Sequence, residues 1–160
     1  MSFKNLVQFG LALMLLLFST GAAWYEGSAL LDNPWEWKHS TPVSQLLNGE
    51  ITKDSDITQV DFFIYAAKFE PLFPVLMVIS ILYLTVLTGY ILLKRNRKKL
   101  GSFLAVLGGL LLFFGLLISD TPTKGGGILL GILMVTGVLC MFTAFMLYTR
   151  FVNRLKLKTF

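Results

Sequence analysis

Four long apolar runs, Phe9–Trp24, Pro71–Leu93, Leu100–Ser119 and Ile128–Tyr148, leave this chain very few architectures. An α-helix rises about 1.5 Å per residue, so a hydrocarbon layer about 30 Å thick needs roughly 20 apolar residues to cross it. The last three runs meet that length, and the first meets it when counted from Leu6. A surface helix of a soluble protein keeps one polar face, which these runs lack. The chain is 55% hydrophobic and only 14% charged, outside the soluble class. The predicted fold is all-α: a polytopic membrane protein with transmembrane helices at about 6–24, 71–93, 100–119 and 128–148.

Charge orients these helices. Lys4, the connection holding Lys94, Arg95, Arg97, Lys98 and Lys99, and the tail 149–160 holding Arg150, Arg154, Lys156 and Lys158 carry ten of the fourteen basic residues and no acid. The loop 25–70 and the turn 120–127 carry all nine acids and four lysines. Positive-inside counting therefore places both termini and the 94–99 loop in the cytoplasm. Lys4, Leu11–Phe18 and Gly21-Ala22-Ala23 also fit a cleaved signal peptide, but the apolar length and the Trp24-Tyr25 anchor favour a retained helix. A basic isoelectric point can indicate nucleic acid; beside membrane helices it indicates orientation and anionic lipid instead. No nucleic-acid partner is expected. Lys94, Arg95, Arg97, Lys98 and Lys99 are the candidate anionic-lipid contacts on the cytoplasmic side, and the basic tail is expected to lie along the inner leaflet, continuing the fourth helix.

The external loop 25–70 is too short to bury a core of its own and holds no cysteine. Its aromatic content argues against a disordered linker, so packing on helix ends, residence among headgroups or capture of a partner are its available fates. Asp56, with Gln59 three residues on, predicts a capped interfacial helix over about 57–69. Thr58, Asp61, Tyr65 and Lys68 make its polar face, and Val60, Phe63, Ile64 and Ala67 the opposite one. Pro71 and Pro74 fit the start of the second span. Pro122 and the glycines at 125–127 argue against helix through the last turn.

Chemistry has few footholds. No Asp, Glu, Lys, Arg or His lies within the predicted spans, which speaks against a proton relay or ion path. Small four-helix drug exporters are similar in length and topology, but they rest on a glutamate in the first span, absent from 6–24 here. Cys140 is the sole cysteine and His39 the sole histidine, so dithiol redox chemistry and a metal site built on His and Cys are not expected, nor any cofactor. Small residues at Gly101, Ala105 and Gly109, and at Gly127 and Gly131, mark candidate helix-packing faces, within the bundle or in a homo-oligomer. Outside the membrane, Asp32, Trp35, Glu36, Trp37 and His39 form the candidate interaction surface. Alternation would put both tryptophans on one side of an extended chain. His39 with Glu36 or Asp32, and Ser40 or Ser28 as nucleophile, is the weaker enzymatic alternative.

The first span, Trp24-Tyr25-Glu26-Gly27-Ser28 and Pro34-Trp35-Glu36-Trp37-Lys38 resemble the YjdJ-like small membrane proteins of Bacillus-type bacteria, with similarity reaching about Leu93. That resemblance implies a bacterial plasma membrane and transfers no catalytic or binding residue. The expected role is non-enzymatic: an accessory, scaffolding or envelope-interaction protein with a lipid or membrane-protein partner. The alternative is a small transporter or channel component lined by Ser80, Thr85, Thr88 and Thr136.

Overall fold

The computed structural model describes residues 3–120 and 123–156. Among them are seven α-helices and no strand: α1 Phe3–Gly27, α2 Pro34–Ser40, α3 Pro42–Asn48, α4 Gln59–Phe69, α5 Leu72–Leu93, α6 Arg97–Leu117 and α7 Lys124–Lys156. Four of these (α1, α5, α6 and α7) are long and apolar enough to cross a membrane. They pack as two pairs, α1 with α5 and α6 with α7. Phe103 of α6 seats against Gly89 of α5 and joins the pairs, since a Cβ at Gly89 would run into its ring.

Small residues mark the buried positions of α1 and the close approach of α6 to α7. On α1, Ser19, Ala23 and Gly27 recur every four residues and are the buried positions. This stripe was readable in the sequence but stood outside the predicted packing sets. Phe18 of α1 meets Phe73 of α5 edge-on, with centroids 5.8 Å apart. In the α6/α7 pair the closest approach is at Gly108, where a Cβ would come 2.9 Å from the Gly137 carbonyl oxygen and 2.9 Å from Met141 Cγ. Leu100, Leu104, Cys140 and Ala144 form the core of that pair.

Residues 28–69 fold back over one end of the helices as a cap. The α6–α7 turn lies at that same end, because Gly125 backs onto the Ala67 carbonyl of α4. The opposite end holds the exposed Lys94–Lys99 cluster, and Leu6 and Phe9 of α1 meet Leu92 there. All nine acids thus lie toward the cap end, with four lysines, and the 94–99 cations at the opposite end.

Several boundaries differ from expectation. Gly125, Gly126 and Gly127 are helical, because the missing Cβ at Gly125 is what allows α7 to start against α4. Arg97, Lys98 and Lys99 form the first turn of α6 instead of a loop, capped by Asn96, whose Oδ1 accepts from Lys99 N at 3.1 Å. Helix α1 runs past residue 24 and takes Glu26 into its last turn, so one of the four long helices does contain an acid. The tail is helical through Lys156; its predicted course over Leu157–Phe160, and Pro122 of the turn, lie outside the described residues.

Candidate functional site

The cap is built on helix ends. Asn33-Pro34 and Thr41-Pro42 each place proline at the first position of a short helix, where its missing N–H removes no hydrogen bond. The end of α2 and the start of α3 therefore meet at Thr41. Facing that joint, α4 presents Asp61 and Lys68, seven residues apart and so on one face. Asp61 is fully buried, and its carboxylate accepts from Val43 N at 3.0 Å, Ser44 N at 2.8 Å, Thr58 Oγ1 at 3.1 Å and the Ser44 hydroxyl. It serves as a tertiary cap at the positive end of α3. Lys68 does the converse for α2. Its Nζ donates to the His39 carbonyl at 2.5 Å and to Ser40 Oγ at 3.1 Å, at the negative end of that helix.

The polar face of α4 thus faces protein, not water, which corrects the amphipathic reading. Asp61, Phe62 and Ala66 are its buried positions, while Val60 is 55% exposed. Phe62 sits on α1: a Cβ at Gly27 would collide with the Phe62 backbone, and the Trp24 ring lies 6.4 Å away. The N-cap of α4 is Thr58; Asp56 closes a separate 3₁₀ turn over Asp54–Asp56 and accepts from Lys53 N at 3.1 Å.

The candidate interaction residues divide. Because 34–40 is helical instead of extended, Trp35 and Trp37 point apart. Trp35 is 89% exposed. Trp37 is half-buried and donates from Nε1 to the Leu30 carbonyl at 2.9 Å. Gln45 ties the joint together, donating to the carbonyls of Trp37 at 3.1 Å and Lys38 at 2.9 Å. Glu36 accepts from buried Ser40 Oγ at 2.9 Å, whereas Asp32 and His39 are exposed.

Those bonds engage both serines of that alternative. Ser40 is held by Glu36 and Lys68, Ser28 donates to the Tyr25 carbonyl at 2.7 Å, and no hydrogen bond among the described residues joins the His39 imidazole to Asp32, Glu36 or either serine. No group of three His, Cys, Asp or Glu side chains among the described residues could hold a metal ion. Among the described residues, no hydrogen bond joins Asp32, Glu36 and His39 to one another.

The membrane-facing candidates also separate. Gly101 lies 3.7 Å, through a built Cβ, from the Ala144 carbonyl and from Leu147 Cβ, and Ala105 packs against the α6/α7 core. Gly109, Gly127 and Gly131 would meet nothing within 4 Å, so they are not contacts of the bundle. Two hydroxyls of the predicted polar path bond back within their own helix. Ser80 is buried and donates to Leu76 O at 2.8 Å, and Thr85 donates to Ile81 O at 2.8 Å. Thr85 and Thr88 border an apolar groove with Phe9 and Phe103, whose lining does not include Ser80 or Thr136.

Comparison with known proteins assigns the first three-fifths of the chain. Residues 6–93 match the family described as "Domain of unknown function (DUF4306)", and the chain belongs to that family. It is also similar to "Uncharacterized protein YjdJ" of Bacillus subtilis (strain 168), at 41% identity over 100 residues, covering 59% of this chain and 90% of that protein. No solved structure matches. The family region contains α1, the cap and α5, and ends at Leu93; α6 and α7 lie beyond it.

Proposed function

We propose that this member of the DUF4306 family is a non-enzymatic, multi-pass protein of the bacterial cell membrane whose cap displays Trp35 to a membrane-protein partner on the outer face. The observation that carries this reading is the contrast within α2. A buried polar network fixes the helix, yet one of its two tryptophans, Trp35, is left 89% exposed. A rigid aromatic group presented this way loses little conformational entropy on binding, the common character of an interface anchor. Leu46 and Leu47 of α3, 86% and 68% exposed, add apolar surface on the same cap. Four long apolar helices, and a relative from a Bacillus species, support the membrane assignment. The placement of the acids at the cap end and the 94–99 cations at the other supports a cytoplasmic N-terminus and an outward-facing cap.

A photocrosslinking residue at position 35, expressed in intact cells, is expected to trap a discrete protein that the same residue at position 53 does not. Crosslinks from position 35 to lipid alone would overturn the reading and make Trp35 a headgroup anchor. Orientation is tested separately in a Cys140→Ala background. Lys53→Cys should react with a membrane-impermeant maleimide on intact cells, and Lys98→Cys only after permeabilisation. The reverse pattern would invert the topology.

A further inference from the structure

The basic end of the α6/α7 pair contains a feature that neither the cap nor the bundle core explains. Arg97, Gly101 and Ala105 of α6, each four residues apart, face Ala144 and Tyr148 of α7 across a groove of about 320 Å³. Its small residues do not mark the closest approach of the two helices. A Cβ at Gly101 would make only ordinary contacts at 3.7 Å, whereas one at Gly108, two turns along, would be forced to 2.9 Å from backbone. The close approach that defines the pair is at Gly108, and the volume left at Gly101 and Ala105 opens outward.

The groove runs in amphiphilic order. Its apolar floor is Gly101, Ala105 and Ala144, its wall is the exposed rings of Phe145 and Tyr148, and its rim is Arg97 and Lys98. The rim also coincides with the start of α6, whose first turn holds three cations and no acid. The positive end of the helix dipole adds to those charges, so the chain itself supplies no local compensation. An occupant must therefore be anionic at one end and apolar along the rest of its length. A second copy of this chain fits poorly. Membrane insertion holds both copies at one depth, so pairing through this face would set Arg97 and Lys98 against their own counterparts.

We infer that this groove binds an anionic phospholipid, one acyl chain lying over Gly101, Ala105 and Ala144 with the phosphate held between Arg97 and Lys98. Guanidinium recognises phosphate by bidentate hydrogen bonding and the ammonium by charge. This differs from diffuse attraction to a basic loop, in which all five cations of 94–99 would count equally. Here only the two at the rim do.

The test is native mass spectrometry of the full chain, released from detergent in the presence of dioleoyl phosphatidylglycerol or dioleoyl phosphatidylcholine. The wild type should retain the phosphatidylglycerol in preference to the phosphatidylcholine. Arg97→Gln with Lys98→Gln should lower that retention about thirtyfold, in line with roughly 1 kcal/mol per cation near anionic lipid. Lys94→Gln with Arg95→Gln removes the same charge beside the groove and should change retention less than about twofold on the same scale. Ala105→Leu, which fills the floor and keeps every charge, should also reduce retention; circular dichroism establishes that each variant keeps its helicity. Should Ala105→Leu not fold, Gly101→Val serves as the groove-filling variant. Equal loss from the two charge pairs, or full retention after the groove is filled, would overturn the inference in favour of non-specific attraction. A dimer that persists without lipid and disappears on filling the groove would identify a second copy as the occupant.

Discussion

In the cap, α4 holds α2 and α3 by their ends, with a carboxylate on the N-terminus of one and an ammonium on the C-terminus of the other. In the α6/α7 hairpin nothing comparable occurs; the helices meet where Gly108 and Gly137 bring backbone against backbone. With the helices in a membrane as proposed, the difference follows from the solvent each region replaces. Between helices in a bilayer, lipid is as apolar as leucine, so burial supplies little drive and close dispersion contact must do the work. A 46-residue segment beside water has the opposite difficulty: too few residues for a core, and many helix ends whose N–H and C=O groups need partners. Satisfying those ends from a single adjacent helix fixes the segment with only a small core of Leu30, Phe62 and Ala66.

The sharpest way to break this contrast is at Asp61. Asp61→Ala leaves the N–H groups of Val43 and Ser44 and two hydroxyls without their acceptor, in a fully buried place. Loss of several hydrogen bonds to a charged group at a helix start predicts about 3 kcal/mol of destabilisation. Limited proteolysis of the purified protein should then cut first within 40–58 while α6 and α7 stay intact. Simultaneous loss of both regions would show that they fold as one unit. On the hairpin side, Gly108→Ala forces a methyl against the Gly137 carbonyl and should lower stability by about 2 kcal/mol. Gly109→Ala, one position on and facing open space, should stay within about 0.5 kcal/mol of wild type. Thermal unfolding in detergent separates the two, and equal effects would remove the close-approach account.

A smaller effect divides the two tryptophans. Trp37→Phe keeps most of the packing but removes the donor to Leu30 O, and should cost about 1 kcal/mol. Trp35→Ala should leave the melting temperature unchanged, since its ring touches little of its own chain. An equal fall for both would return Trp35 to a structural role.

How much of this was legible follows from the same physics. The four long helices could be read because length and all-round apolarity have one main explanation. The face of α4 bearing Thr58, Asp61, Tyr65 and Lys68 was also visible, but a solvated face and one that caps neighbouring helices have identical periodicity. Only the surroundings distinguish them. The helices α2 and α3 left a signal in Asn33-Pro34 and Thr41-Pro42, which alternation of Trp35 and Trp37 obscured. Glycine spacing located small stripes without ranking them. Gly108 and Gly109 are neighbours in sequence, about 100° apart around the helix, and the rotation of α6 decides which one meets α7.

Glu26 tests the junction of the two regimes, where α1 leaves its partner α5 and enters the cap. Its Oε2 is buried and has no hydrogen-bond partner, and Glu70, just before α5, repels it. Every other buried polar group of the cap described above is paired, so this oxygen is a local cost in a region otherwise built on satisfied ends. Glu26→Gln removes the charge at constant shape and should raise stability by roughly 0.5 kcal/mol, since solvent screens much of the repulsion. Glu70→Gln should give part of the same gain, because it removes the same repulsion from the other side. The double substitution should then add less than the sum of the two, the mark of groups that interact directly. A loss of stability in Glu26→Gln would mean that the carboxylate is held by an interaction absent from this arrangement, and the cap would not be closed at its seam with α1.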